Sequence, residues 1–247
     1  MRIAFTALFF LSACVELAPV SNTSPQNAQN NQQVSSRSIV NTYLQIGRRI
    51  EAVAEPICRR KNPSAPRAYC DFQVKLDSSP ANGPNAYQTI GKDGRPVIAF
   101  NLPMLQTVRN EHEIAFILGH EAAHQIANHI RKANTNANLG AVILGGIFAA
   151  SGANPTTILE AQNVGGAIGA RAYSQTHELE ADRLGTYITE LAGFSPSIGA
   201  RSLSRLSGGG GGFLSTHPDR GQRITTVQRT VQQINQDKAA GRAIRIP

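Results

Sequence analysis

Apolar residues recur along this chain with two spacings, and each predicts a type of element. Between Ser38 and Ala54, Ile39, Tyr43, Ile46, Ile50 and Val53 repeat every three or four positions, which predicts a helix with one buried stripe. Pro56, Pro63 and Pro66 then predict loops around Cys58 and Cys70. Phe72 to Leu76 alternates strictly and predicts a strand, Tyr87 to Ile90 a second and Val97 to Phe100 a third, with Lys92-Asp93-Gly94-Arg95 as the hairpin turn. From Pro103 to Arg131 the chain is mostly helical, with Ile114, Ile117, Leu118, Ala122 and Ile126 on one face. Residues 139–153 are apolar but broken by glycines. As a helix they reach only about 22 Å, short of a hydrocarbon core. They predict a buried helical hairpin, and a surface that touches membrane or substrate is the other reading. Gly165 to Ala192 reads as helix until Gly193 and Pro196 stop it. Ser197 to Leu206 is a short helix and Gly208 to Gly212 a flexible loop. Arg220 to Asn235 carries Ile224, Val227, Val231 and Ile234 on one stripe.

Composition narrows the class. A chain of 247 residues with 41% hydrophobic and 16% charged residues is no disordered chain, and its length suits one domain plus a leader or tail. The formal net charge is +8, but the basic residues are scattered (Arg48, Arg49, Arg59, Arg60, Lys61, Arg131, Lys132) with no aromatics interleaved to stack on bases. That excludes a nucleic-acid platform and favours an anionic membrane surface or cell wall. Arg2 followed by apolar Ile3 to Leu11 reads as a cleaved export signal. Residues 18–36 hold Asn, Gln, Ser and Pro and form a solvated tether. Three parts follow: a signal peptide 1–13, a polar tether 14–37 and a folded domain 38–247. Export implies an oxidising compartment, so Cys58 and Cys70 are expected to form a disulfide. The ending Leu11-Ser12-Ala13-Cys14 resembles the bacterial lipoprotein box, which implies acylation of Cys14. By that resemblance Val15, a residue other than Asp, directs the periplasmic, lipid-anchored protein to the outer membrane.

Leu118-Gly119-His120-Glu121-Ala122-Ala123-His124 contains HExxH inside a predicted helix. Residues four apart on a helix differ by about 40° around the axis, so both imidazoles project toward one point and suit zinc. Glu121, beside the first ligand, is placed to take a proton from an activated water without binding the metal. A catalytic zinc site needs a third protein ligand. His129 falls on another face and is read as solvent-facing or supporting. The candidate lies in Thr176-His177-Glu178-Leu179-Glu180-Ala181-Asp182-Arg183. Glu178 and Asp182 share a helix face: Glu178 can ligate while Asp182 accepts the N–H of a ligating histidine. Glu180 points about 200° away from Glu178.

ELEAD after HEAAH resembles the HtpX-like and CAAX-prenyl-protease family of zinc peptidases, in its small exported lipoprotein branch. The match runs from Asn85-Ala86-Tyr87 through Ser215-Thr216-His217-Pro218. It implies Glu178 as zinc ligand and Asp182 as its supporting acid. Ser174-Gln175 stands where the family has Ser-Arg, and Asn101-Leu102-Pro103 ends the strand unusually. These departures touch substrate contacts and leave the metal triad intact. His217 has several readings: a gate over the metal, a fourth ligand, a transition-state donor, or a structural bond in a turn.

The expectation is an α+β fold with a mainly helical zincin-like core and a small antiparallel sheet beside the active-site helix. Val97, Ile98, Ala99 and Phe100 are the expected edge strand that aligns an extended substrate. One zinc ion per chain, with Glu121 as general base, would hydrolyse peptide bonds of misfolded or misassembled envelope proteins. An assembly or chaperone-like factor with gated proteolysis is the alternative, and an envelope assembly partner goes with it.

Overall fold

A computed structural model describes residues 25–79, 83–172, 174–206, 217 and 220–246. The chain divides into two units, Met1–Arg37 and Ser38–Pro247. Residues 1–13, expected to be a signal peptide, together with Cys14 and the glycine run 208–212, lie outside the described residues.

Helix α1 spans Pro25–Lys61, longer at both ends than its apolar stripe predicts. Pro56 lies inside it rather than ending it, because Ile57 and Cys58 are buried and hold the final turns against the core. Cys58 is bonded to Cys70 of a following 3-10 turn (Arg67–Cys70), with Cα atoms 5.6 Å apart. Strands β1 (Gln73–Asp77), β2 (Ala86–Ile90) and β3 (Pro96–Asn101) form one sheet. Its order is β1-β3-β2, and it is mixed where an antiparallel sheet was expected: β1 pairs parallel with β3, and β2 antiparallel. Residues Gly91 to Arg95 make the tight turn between β2 and β3, with Gly94 at φ 76°. Strands β1 and β2 flank β3 on opposite sides, and β1 runs with β3 while β2 runs against it. Tyr43 pins α1 to the sheet: its buried hydroxyl donates to the Lys75 carbonyl at 2.9 Å and accepts from the Phe100 N–H at 3.1 Å.

The helices after the sheet are α2 (Leu102–Thr107), α3 (Glu111–Ile126), α4 (His129–Ala150), α5 (Pro155–Ala172), α6 (Ser174–Leu191), α7 (Pro196–Gly199), α8 (Ser202–Arg205) and α9 (Arg220–Ala239). Asn110 caps α3 through the Glu113 N–H, and the buried Glu113 carboxylate returns to the Arg109 N–H and pairs with Arg205. Twelve of the residues from Glu113 to Gln125 are buried, so α3 is the central helix.

Helices α4 and α5 pack as a hairpin, but residues 139–150 form only part of its first arm instead of a buried hairpin of their own. Leu139, Val142, Ile143 and Ile147 on α4 and Leu159, Val164 and Ile168 on α5 are exposed. The two backbones instead pack on each other along a glycine seam: a Cβ on Gly140 would stand 2.1 Å from the Gly165 carbonyl oxygen, and one on Gly169 2.1 Å from that of Asn136. Among the described residues no helix is long and apolar enough to cross a membrane.

Candidate metal centre

The site forms where α3 and α6 cross. At the crossing sit Gly119 and Gly185, and a Cβ on Gly185 would come within 2.9 Å of the backbone N and Cα of His120. Only glycine allows the approach that brings the HExxH turn against the acidic turn of α6. His120 Nδ1 then lies 2.9 Å from Asp182 Oδ1. Its Nε2 lies 3.0 Å from His124 Nε2 and 3.3 Å from Glu178 Oε2. Glu178 Oε1 is 3.4 Å from His124 Nε2. His217 completes the cluster, with Nδ1 2.9 Å from Glu178 Oε1 and 3.3 Å from His120 Nε2. One donor atom from each of His120, His124, Glu178 and His217 lies within 4.8 Å of the others.

This donor set fits zinc in kind, since imidazole nitrogens and a carboxylate at such spacing are its usual ligands. The charge also fits. Glu121, Glu178 and Asp182 are buried, as is Arg223. With all ionised the count is three negative and one positive, which a divalent cation would cancel. Burial works against a charge on His120, but the hydrogen bonds to Asp182 and Glu178 raise its pKa to about 9. The field that favours a proton there favours a metal in its place. Burial opposes ionisation of Glu178 as well, yet the three histidines hold its carboxyl well below the usual range. Burial pushes Glu121 up, and among the described residues its buried Oε1 makes no hydrogen bond. That oxygen lies 3.4 Å from His217 Nε2.

Arg223 is the residue the sequence reading missed. It is fully buried. It donates through Nε to Asp182 Oδ2 at 2.7 Å, through Nη2 to Asp182 Oδ1 at 2.8 Å, and through Nη1 to the His217 carbonyl at 3.2 Å. A signal was present: the buried positions of α9 are 223, 227, 230 and 234, so the helical period places an arginine on the core stripe. His129, read as solvent-facing or supporting, is buried and contacts His124.

The aligning strand needs correction. Val97, Ile98, Ala99 and Phe100 are on β3, which has a partner on each side and no ladder groups left for a substrate. The edge strand near the site is β2. Asn85 and Gly91 bond to Asn101 and Arg95. By the two-residue alternation of an antiparallel pair, Ala86, Gln88 and Ile90 turn their N–H and C=O groups outward. Tyr87 and Gln88 line a cleft of about 310 Å³ together with Glu121, His124, Glu178 and His217.

Residues 44–231 match the sequence profile of Peptidase family M48. The chain is similar to the mitochondrial metalloendopeptidase OMA1 of Saccharomyces cerevisiae, 26% identical over 189 residues that cover 71% of this chain and 52% of that protein. It is also similar to the mitochondrial metalloendopeptidase OMA1 of Arabidopsis thaliana, 29% identical over 125 residues that cover 49% of this chain and 24% of that protein. The chain thus spans about half the length of the yeast relative and about a quarter of the plant one.

Proposed function

The chain belongs to peptidase family M48, and on that premise we propose that it is a zinc-dependent endopeptidase of the bacterial cell envelope, HtpX-like and of the small exported lipoprotein branch. The observation that carries the activity is the buried Glu121 carboxylate, with one oxygen free of hydrogen bonds among the described residues, lining a cleft beside the His120, His124 and Glu178 donors. Zinc held by those three residues would acidify a water and polarise the scissile carbonyl. Glu121 takes the water's proton and passes it to the leaving amine. The outward N–H and C=O of Gln88 pair with an extended substrate laid along β2, which brings its carbonyl over the donor cluster. Asp182 and Arg223 fix the His120 ring. His217 lies where a fourth ligand would lie, so it acts as a gate that must withdraw before substrate enters. Zinc analysis and a peptide assay test this: one zinc per chain, lost in His124→Ala, retained in His217→Ala with faster basal cleavage. Stoichiometric zinc in His124→Ala would sink the site, and slower cleavage in His217→Ala would make His217 a transition-state donor instead.

The envelope setting is supported by the short apolar segment ending at Cys14 and by the Cys58–Cys70 disulfide, which suits an oxidising compartment. An acyl chain on Cys14 would tether the domain to the periplasmic face of the outer membrane, where misfolded or misassembled proteins are the substrates. Cys14→Ser is expected to release the protein from the membrane fraction. Wild-type protein in the soluble fraction with no lipid mass on Cys14 would count against it.

A further inference from the structure

We propose that His129 and Glu180 are positioning residues that hold the ring of His124, as Asp182 and Arg223 hold that of His120. The inference rests on the metal reading, with Nε2 of His124 as its ligand atom.

On one continuous helix, residues five apart are about 140° apart around the axis, and His129 could not face His124. The chain removes that obstacle. Helix α3 ends at Ile126, Asn128 takes φ 63° and ψ 37°, and α4 begins at His129. This left-handed conformation suits asparagine better than most residues. The turn swings the His129 ring back until its Nδ1 lies 2.9 Å from His124 Nδ1. On its other side, His129 Nε2 lies 3.0 Å from Glu180 Oε2. The His177 ring stacks on His129, with centroids 4.3 Å apart and planes 14° apart. Lys132 Nζ lies 3.6 Å from the same Glu180 oxygen.

Ligation fixes the direction of every hydrogen bond in this chain. An imidazole that ligates through Nε2 carries its proton on Nδ1. His124 therefore donates from Nδ1, and Nδ1 of His129 must accept. The proton of His129 is then on Nε2, and Glu180 accepts it. A metal-ligating histidine is usually held by a carboxylate or carbonyl on its second nitrogen. His120 has Asp182 directly, whereas His124 reaches its carboxylate through a second histidine. Glu180, pointing away from Glu178 on α6, cannot reach the donor cluster itself, and His129 bridges the gap. Half of the Glu180 side chain is in solvent, at 49% exposure, so its effect is on ring orientation more than on charge.

The test uses the full-length protein and reads zinc affinity by competition with a chromophoric chelator, together with the melting temperature without and with zinc. His129→Ala is expected to weaken zinc binding by about 10–100-fold. Its zinc-induced rise in melting temperature should shrink while the zinc-free value stays near wild type. Glu180→Gln, on a half-exposed side chain, should shift affinity in the same direction by less. His129→Gln, whose amide oxygen can accept from His124 Nδ1, should recover part of the loss. Thr135→Ala, on an exposed position of the same helix, should match wild type. If His129→Ala binds zinc as wild type does, or loses stability equally with and without zinc, the positioning role is overturned. In either case His124→Ala must have lost the metal. If His124→Ala keeps zinc, the metal reading itself fails and the positioning role goes with it.

Discussion

Glu121→Gln is expected to keep stoichiometric zinc and to lose peptide hydrolysis by on the order of 10²–10⁴-fold, the usual worth of a positioned general base. The two effects separate because of where Glu121 sits. His120, His124 and Glu178 bring their donor atoms together without it. The amide of glutamine fills nearly the same volume in a buried position, so neither packing nor the ligand set changes. What goes is the ability to accept a proton and return it to the leaving amine. Among the described residues Glu121 Oε1 makes no hydrogen bond, and its nearest charged neighbour is His217 Nε2 at 3.4 Å, so the oxygen stays open to a proton once His217 withdraws. The measurement is the rate of cleavage of an unstructured peptide by wild type and variant at matched zinc content. Full activity in the variant would place the base elsewhere and remove Glu121 from the mechanism.

Arg223→Met should produce the largest change in stability, a loss of roughly 3–5 kcal/mol, as expected when one partner of a buried ion pair is removed. The guanidinium makes two hydrogen bonds to Asp182 and one to the His217 carbonyl, and its Nη1 is 3.2 Å from Glu178 Oε2. Without it, the buried Asp182 carboxylate faces only the His120 ring among the described ion-pair partners. A neutral partner tests that origin. Arg223→Met combined with Asp182→Asn removes both charges and should recover much of the loss, since replacing a whole buried pair costs less than breaking it. Denaturant unfolding of the zinc-free proteins reads both values. Equal losses in the single and double variants would mean that the guanidinium acts by packing alone.

The parts of this molecule that are legible in the sequence are those set by short-range geometry. The four-residue spacing of His120 and His124, and of Glu178 and Asp182, is a statement about helix faces, and the structure brings these faces together. Cys58 and Cys70 were readable because a leader read as an export signal limits what two cysteines are expected to do. Strand order was not readable. Nothing local to Val97–Phe100 says which neighbours it pairs with, and a strand with apolar residues on both faces fits the centre of a sheet better than its edge. Of the two readings of His129, burial removes the solvent-facing one and contact with His124 leaves the supporting one; an unbroken helix puts it on another face, whereas the chain turns at Asn128. Arg223 was passed over because a charged residue is assumed to face water. The hairpin of α4 and α5 escaped for a different reason: hydropathy marks apolar residues but does not say which of them are covered.

That hairpin inverts the usual relation between size and constraint. In most cores the large apolar side chains are the positions where drift is costly, and glycines between them are spacers. Here the large side chains point outward, and the contact between the helices is made by backbone against backbone at Gly140, Gly165 and Gly169. A methyl group on any of these has no flexible neighbour to push aside, since it meets carbonyl carbon and oxygen. The fold would therefore accept residues of other sizes in place of Val142 or Ile143. It is held to the smallest residue at three points that hydropathy scales treat as featureless.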